Sequence, residues 1–317
     1  MYSPAEQNGG ILKLALFDYE SAGVGISKNA PKKKGIKLFA DIFFRKFWKL
    51  LEVNMLYSLF FLPLILGFMS IVYLYDVNLT VSLVAAIVCL LFFMITIGPA
   101  TAGVMKIMRC YLIEKHTFIV RDFFREFRRS FKKAAIIGFI DCIVIMSVFA
   151  SLKVYPMMAV TYNSKILYVP MTITLSLALV VMMMNYFIFL MLVATNLSLK
   201  NLIKNSFALA FISLKGNIII VLTTIVTMFI MFLLFIYLTP IFWILLPFFP
   251  AAFLMFVTAF NSYPVIQKYV INPYYTSIGK INPELLSGSD EETLFEDMGG
   301  KEKPIEKRKK GKGKRIS

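Results

Sequence analysis

The sequence predicts an all-α, polytopic membrane protein. It should have six transmembrane helices, three amphipathic helices at the cytoplasmic interface, and both termini in the cytoplasm. Three observations carry that expectation. Apolar residues make up 59% of the 317 and mean hydropathy is +0.75, where soluble domains hold about 45–50% apolar residues. Charged residues make up only 16% and lie almost wholly outside apolar runs of about 20 residues, the length that crosses the hydrocarbon layer. Lys and Arg alternate along the chain: 32 of the 34 fall in residues 1–53, 106–133, 196–217 and 264–317, and two in the intervening links. Basic residues collect on the cytoplasmic side of spans, so the net charge of +16 reads as topology rather than as a specific nucleic-acid site.

Three regions follow in order. Residues 1–35 form a polar arm with the run Pro31-Lys32-Lys33-Lys34, expected to be flexible. Its GVGISK stretch lacks the preceding strand and the spacing of a phosphate-binding loop. No cleavable signal peptide is expected, because ILKLALF is short and is followed by Asp18 and Glu20. Residues 36–267 form the membrane domain, and residues 268–317 a charged tail expected to be disordered, acidic then basic.

Within the membrane domain, Ile36, Phe39, Phe43, Phe47 and Leu50 recur in steps of three and four. That spacing is one apolar stripe on a helix, and the basic residues between predict an interface helix. The spans are expected at residues 54–74, 80–105, 134–152 and 168–195, with a fifth and a sixth split at Leu238-Thr239-Pro240. Residues 117–133 and 199–214 supply the second and third amphipathic helices, so that one precedes each odd-numbered span.

Several chemistries find no residues. Cys89, Cys110 and Cys142 form no CxxC pair, and His116 is the only histidine. Structural zinc sites need four such ligands, so no metal and no cofactor is expected. No nucleophile has an adjacent base and no carboxylates converge, so an enzyme is not expected either.

Four groups of residues could carry function. Asp141 lies seven residues into the third span, where a carboxylate costs a few kcal/mol. It reads either as a proton or cation site or as a structural hydrogen bond to Asn185, Thr174, Thr223, Thr224 or Thr227. Asn185, mid-span, reads as an interhelical contact or a ligand contact. Gly98, Pro99, Thr101 and Gly103 read either as an interrupted helix that aims backbone groups at an ion or ligand, or as close helix packing with a fixed elbow that aims the helix after it. That helix sets Arg121, Arg125, Arg128 and Arg129 against Phe124, Phe127 and Phe131. It reads as an anchor on anionic lipid headgroups or as a docking surface for a cytoplasmic partner.

The stretch GPATAGVMKIMRCYLIEKHTFIVRDFFREFRRSFKKAAIIGF resembles the YesL family of bacterial membrane proteins, as does FFRKFWKLLEVNMLYSLFFLP around Asn54. The family is similar in its Pro-Ala-Thr-Ala turn, its aromatic Asp-Phe-Phe helix and the basic Phe-Lys pair before the next span. The likeness covers roughly residues 36–267 and implies a multi-pass protein of the bacterial cell membrane. The family has no agreed activity, and its members sit beside genes for carbohydrate uptake. The resemblance therefore implies an accessory or regulatory role in carbohydrate uptake or sensing, with a sugar ABC permease or a sensor kinase as partner, or a homo-oligomer. A small-molecule transporter or channel with a polar site around Asp141 is the alternative.

Overall fold

A computed structural model of the chain describes residues 35–74 and 76–286. The polar arm, its GVGISK stretch, and the tail beyond residue 286 lie outside the described residues. The chain divides into two compact units, residues 1–41 and 42–317. Of the first, the described part is Gly35 and the opening turns of a helix.

Helices account for nearly all of the described residues, and no strand occurs among them. Five helical stretches are long and apolar enough to cross a membrane, and a bent pair makes a sixth if it counts as one span. Large apolar side chains on these stretches face outward: Phe68, Phe149, Ile218 and Phe229 are all more than half exposed. In water such a surface would be untenable, and in hydrocarbon it is the expected one.

Helix α1 (Ile36–Ser58) runs through a 3₁₀ turn at Leu59–Phe61 into α2 (Leu62–Leu74). Pro63 has no N–H to give the Leu59 carbonyl, which accounts for the turn. Helix α3 (Leu79–Leu112) follows, N-capped by Asn78, whose side chain accepts from the Val81 N–H at 3.1 Å. Next come α4 (Ile119–Thr161) and α5 (Tyr168–Ala194). Both α3 and α4 end on a left-handed residue, Glu114 and Asn163. In each case the following N–H bonds back to the carbonyl five residues earlier, Lys115 to Cys110 and Ser164 to Ala159, the usual satisfaction of a helix C-terminus. Then come α6 (Leu199–Ile212), α7 (Leu214–Tyr237), α8 (Thr239–Leu245) and α9 (Pro250–Ile266), a π-turn at Gln267–Ile271, α10 (Asn272–Ser277) and α11 (Pro283–Leu286). The axes of α8 and the stretch from Pro250 differ by 54°. Pro247 and Pro250 leave the backbone between them two N–H donors short.

Helix α3 is the hub, packing on α2, α4, α5 and α9. Its seam with α4 brings the two backbones into contact. A Cβ added at Gly98 would fall 2.0 Å from the Ala134 carbonyl oxygen, and one at Gly138 would fall 2.6 Å from the Gly98 Cα. Backbone meets backbone there, which only glycine permits. Five residues on, Gly103 leaves the space that the Phe123 ring fills, with a ring atom 2.8 Å from where its Cβ would stand.

The structure corrects four expectations. The amphipathic stretch before the first span is not a separate interface helix, because α1 continues unbroken past Asn54. Nor is the stretch at residues 117–133, which is the first part of a 43-residue α4, about 65 Å of helical path at 1.5 Å per residue. Residues 132–137, Lys-Lys-Ala-Ala-Ile-Ile, contain no helix breaker, so the helix propagates where the polarity changes. The elbow at Gly98, Pro99, Thr101 and Gly103 is also absent, since all four lie within continuous α3, while the close helix packing expected of these small residues is present at Gly98. The tail does not begin at residue 268, because residues 268–286 still carry the π-turn and two short helices.

The third amphipathic stretch does form its own helix. Helix α6 buries Leu202, Leu209 and Ala210 and exposes Ile203, Phe207 and Phe211, two faces suited to the boundary of a bilayer.

Candidate functional site

Asp141 and Asn185 are brought together by the antiparallel pairing of α4 and α5. Asn185 Nδ2 donates to Asp141 Oδ1 at 2.7 Å. The other suggested partners do not reach the acid. Thr174, Thr223, Thr224 and Thr227 each donate to the carbonyl four residues back on their own helix, at 2.8–2.9 Å. The pair lines a pocket of about 440 Å³ whose other lining residues are all apolar: Val144, Ile145, Val148 and Phe149 from α4, and Leu175, Ala178, Leu179, Val181 and Met182 from α5. No cation pairs with Asp141 among the described residues, and Tyr57 lies within Coulombic range of it. Tyr57 is itself hydrogen-bonded to Thr101 at 3.0 Å.

The first part of α4 holds the second candidate site. Its inward face carries Phe123, fully buried, with Asp122, Glu126 and Ser130, also buried. Phe123 and Phe127 pack on Phe60, with ring centroids 5.6 and 5.3 Å away, and Phe127 contacts Phe131 at 5.7 Å. Asp122 accepts from the Phe118 N–H at 3.0 Å and Glu126 from the Ser130 hydroxyl at 2.6 Å. The outward face presents Val120, Arg121, Phe124, Arg125 and Arg128 around a depression of about 530 Å³. Arg121 stacks over Phe118 and Arg125 pairs with Asp122 at 2.8 Å.

The predicted docking set therefore divides. Arg121, Phe124, Arg125 and Arg128 share the open face. Arg129 donates to Asn196 at 3.1 Å, and Lys133 donates to the Leu197 carbonyl at 2.7 Å. Those two hold the link after α5 and serve the fold. Phe127 and Phe131 are half-buried against the protein.

Two further polar constellations escaped the sequence reading. Asn54, 1% exposed, bridges the break between α8 and α9. Its Nδ2 donates to the Leu246 carbonyl at 3.3 Å, and its Oδ1 accepts from the Ala252 N–H at 2.6 Å. It thus caps α9 from another helix. At the end of α3, Arg109 donates to the Tyr263 hydroxyl at 2.8 Å and to Glu284; Tyr263 also donates to Glu284, and Gln267 does so at 3.0 Å. Burial pushes the Glu284 carboxyl up, but the Tyr263 hydroxyl, Arg109 and Gln267 outweigh it and hold the group below the usual carboxylate range. Among the described residues, no group of three or more His, Cys, Asp or Glu could hold a metal ion.

A multi-pass integral membrane protein is the class that this fold defines. A family model described as "Protein of unknown function, DUF624" matches residues 50–152, from within α1 to within α4. That stretch contains the α3–α4 crossing, the arginine face and Asp141, and it stops short of Asn185. No curated protein and no solved structure matches the chain.

Proposed function

We propose that this protein is a non-enzymatic accessory or regulatory component of the bacterial cell membrane, associated with carbohydrate uptake or sensing. It would act by docking a partner, a sugar ABC permease or a sensor kinase, on the arginine face of α4. The carbohydrate association rests on the resemblance to the YesL family. The docking rests on one observation: three of the four phenylalanines in the first part of α4 are turned toward the protein itself. An interface anchor needs its aromatic stripe in lipid, yet Phe123, Phe127 and Phe131 pack inward and only Phe124 is exposed. Arg121 and Arg128 then face outward toward an acidic surface, beside Arg125, which is paired with Asp122, and all three are held in place because α4 has no joint between this face and the membrane span.

The test is affinity purification of the tagged protein from its native membrane in mild detergent, beside a variant with Arg121→Glu, Arg125→Glu and Arg128→Glu. A sugar permease or sensor kinase recovered in stoichiometric amount with the parent, and lost with the variant, is the expected result. Recovery of the parent alone, or as a homo-oligomer, would refute the reading.

The second reading is a small-molecule transporter or channel built on Asp141, and the pocket that Asp141 and Asn185 line favours it. Intramembrane acids commonly mark substrate or ion pathways. Liposome flux measurements on the parent and on Asp141→Asn test it, with flux lost in the variant as the expected outcome.

A further inference from the structure

The pocket between α4 and α5 has a chemistry that narrows what can enter it. Nine of its eleven lining residues are apolar. Ligand sites are commonly apolar pockets of about 300–1,000 Å³ in which a few polar groups fix orientation, and this one has both features. The polar groups gather at one end. From Asp141 to Phe149 on α4 is about 12 Å, and from Asn185 to Leu175 on α5 about 15 Å. The pocket is thus a slot with a polar head and a long apolar body. It is open to the surroundings of the bundle, because Ile145, Phe149 and Leu179 are at least half exposed.

The head is an acceptor. Asn185 gives one N–H to Asp141 Oδ1, which leaves Asp141 Oδ2 and Asn185 Oδ1 to receive hydrogen bonds, and no cation among the described residues pairs with the carboxylate. A charge without a partner in hydrocarbon is costly. A sugar is the wrong occupant, since a ring of hydroxyls would face nine side chains that cannot bond them.

We propose that this slot binds a single-chain cationic amphiphile from the lipid phase, its protonated amine on Asp141 and Asn185 and its chain along Val144, Val148, Leu175, Ala178 and Met182. The inference rests on the second reading above only for the site; it assigns the ligand class and does not require transport.

The experiment uses the full chain in phosphatidylcholine nanodiscs, with a diazirine-bearing long-chain alkylamine as the probe. Crosslinked peptides are mapped by mass spectrometry in competition with dodecylamine, dodecanol and dodecanoate. Labelling should map to α4 and α5 at the slot. Dodecylamine should compete about tenfold better than dodecanol, a difference of about 1.4 kcal/mol, since a charged donor bonds a carboxylate more strongly than a neutral one. Dodecanoate should be the weakest competitor. Asp141→Asn should bring the amine and the alcohol level. Ala178→Trp, which fills the slot and leaves the polar pair intact, should abolish labelling there.

Equal competition by dodecanol and dodecylamine on the parent protein overturns the proposal without any variant. Labelling spread evenly over the outer face of α7 overturns it as well. Saturable amine binding without liposome flux would keep this inference and refute transport. Flux without amine preference at the slot would do the reverse.

Discussion

Gly98 is where the structure predicts the largest response to the smallest change. Gly98→Ala adds one methyl group, and its carbon would lie 2.0 Å from the Ala134 oxygen, 2.8 Å from the Ala134 carbonyl carbon and 3.0 Å from the Gly138 Cα. These are backbone atoms, so no side chain can turn aside. Helices α3 and α4 would have to part by at least 1.0 Å merely to bring the closest contact to 3.0 Å. The seam holding Ala102, Ala134 and Ile137, all buried, would open with them. Overpacking of a well-packed core costs about 1–3 kcal/mol, occasionally more; two backbones in contact place this change at the upper end, about 3 kcal/mol. The assay is thermal unfolding in detergent, followed by a thiol-reactive dye on Cys89, Cys110 and Cys142. The expected result is a fall of at least about 5 °C, with Gly138→Ala close behind. Gly67→Ala, whose Cβ would meet the Cys89 Cβ at 3.1 Å, should cost much less. Gly216→Ala faces only the Ser213 hydroxyl and should be neutral or stabilising. Equal melting of Gly98→Ala and the parent would refute the backbone-on-backbone seam.

The Arg109–Glu284 cluster gives a pH dependence. Glu284 is held below the usual carboxylate range in the folded chain, so its contribution is present above the unfolded-state pKa and is lost as pH falls through the lower, folded one. Hydrogen exchange at residues 279–286 should show protection at pH 6 that is lost progressively as pH falls through the acid range; Arg109→Ala should remove it already at pH 6, by about 3 kcal/mol, because a buried carboxylate loses its cation. Persistent protection in that variant would show that Glu284 does not hold the segment. Asn54→Ala strands the Leu246 carbonyl and the Ala252 N–H inside the membrane, at about 2 kcal/mol in all, read as a lower melting temperature. An unchanged value would mean that the break finds other partners.

What the sequence discloses and what it hides follow from range. The spans are written in local composition, and so is the split at Leu238-Thr239-Pro240, which falls between α7 and α8. Asn185 was among the few polar side chains in lipid able to meet Asp141, so that contact could be foreseen as one of several. The continuity of α4 could not, because a change of polarity looks like a boundary while the helical hydrogen-bond ladder does not register it. Asp122 and Glu126 appear in the sequence only as charges, and their burial depends on the hairpin that folds α4 onto α3. The pairing of Arg109 with Glu284 spans 175 residues, and nothing local to either residue announces it. Asn54 was visible only as a residue preceding an apolar run, since its partners lie nearly 200 positions on.

The Gly98–Gly138 crossing also makes α4 a lever. Its pivot lies three residues, about 4.5 Å, from Asp141 on one side, and seventeen residues, about 25 Å, from Arg121 on the other. A tilt of the helix about that pivot moves the arginine end more than five times as far as the acid end. Phe123, fully buried and seated against Gly103, stands on the long arm, so any such tilt must also unseat that ring, and the ring is what locks the lever.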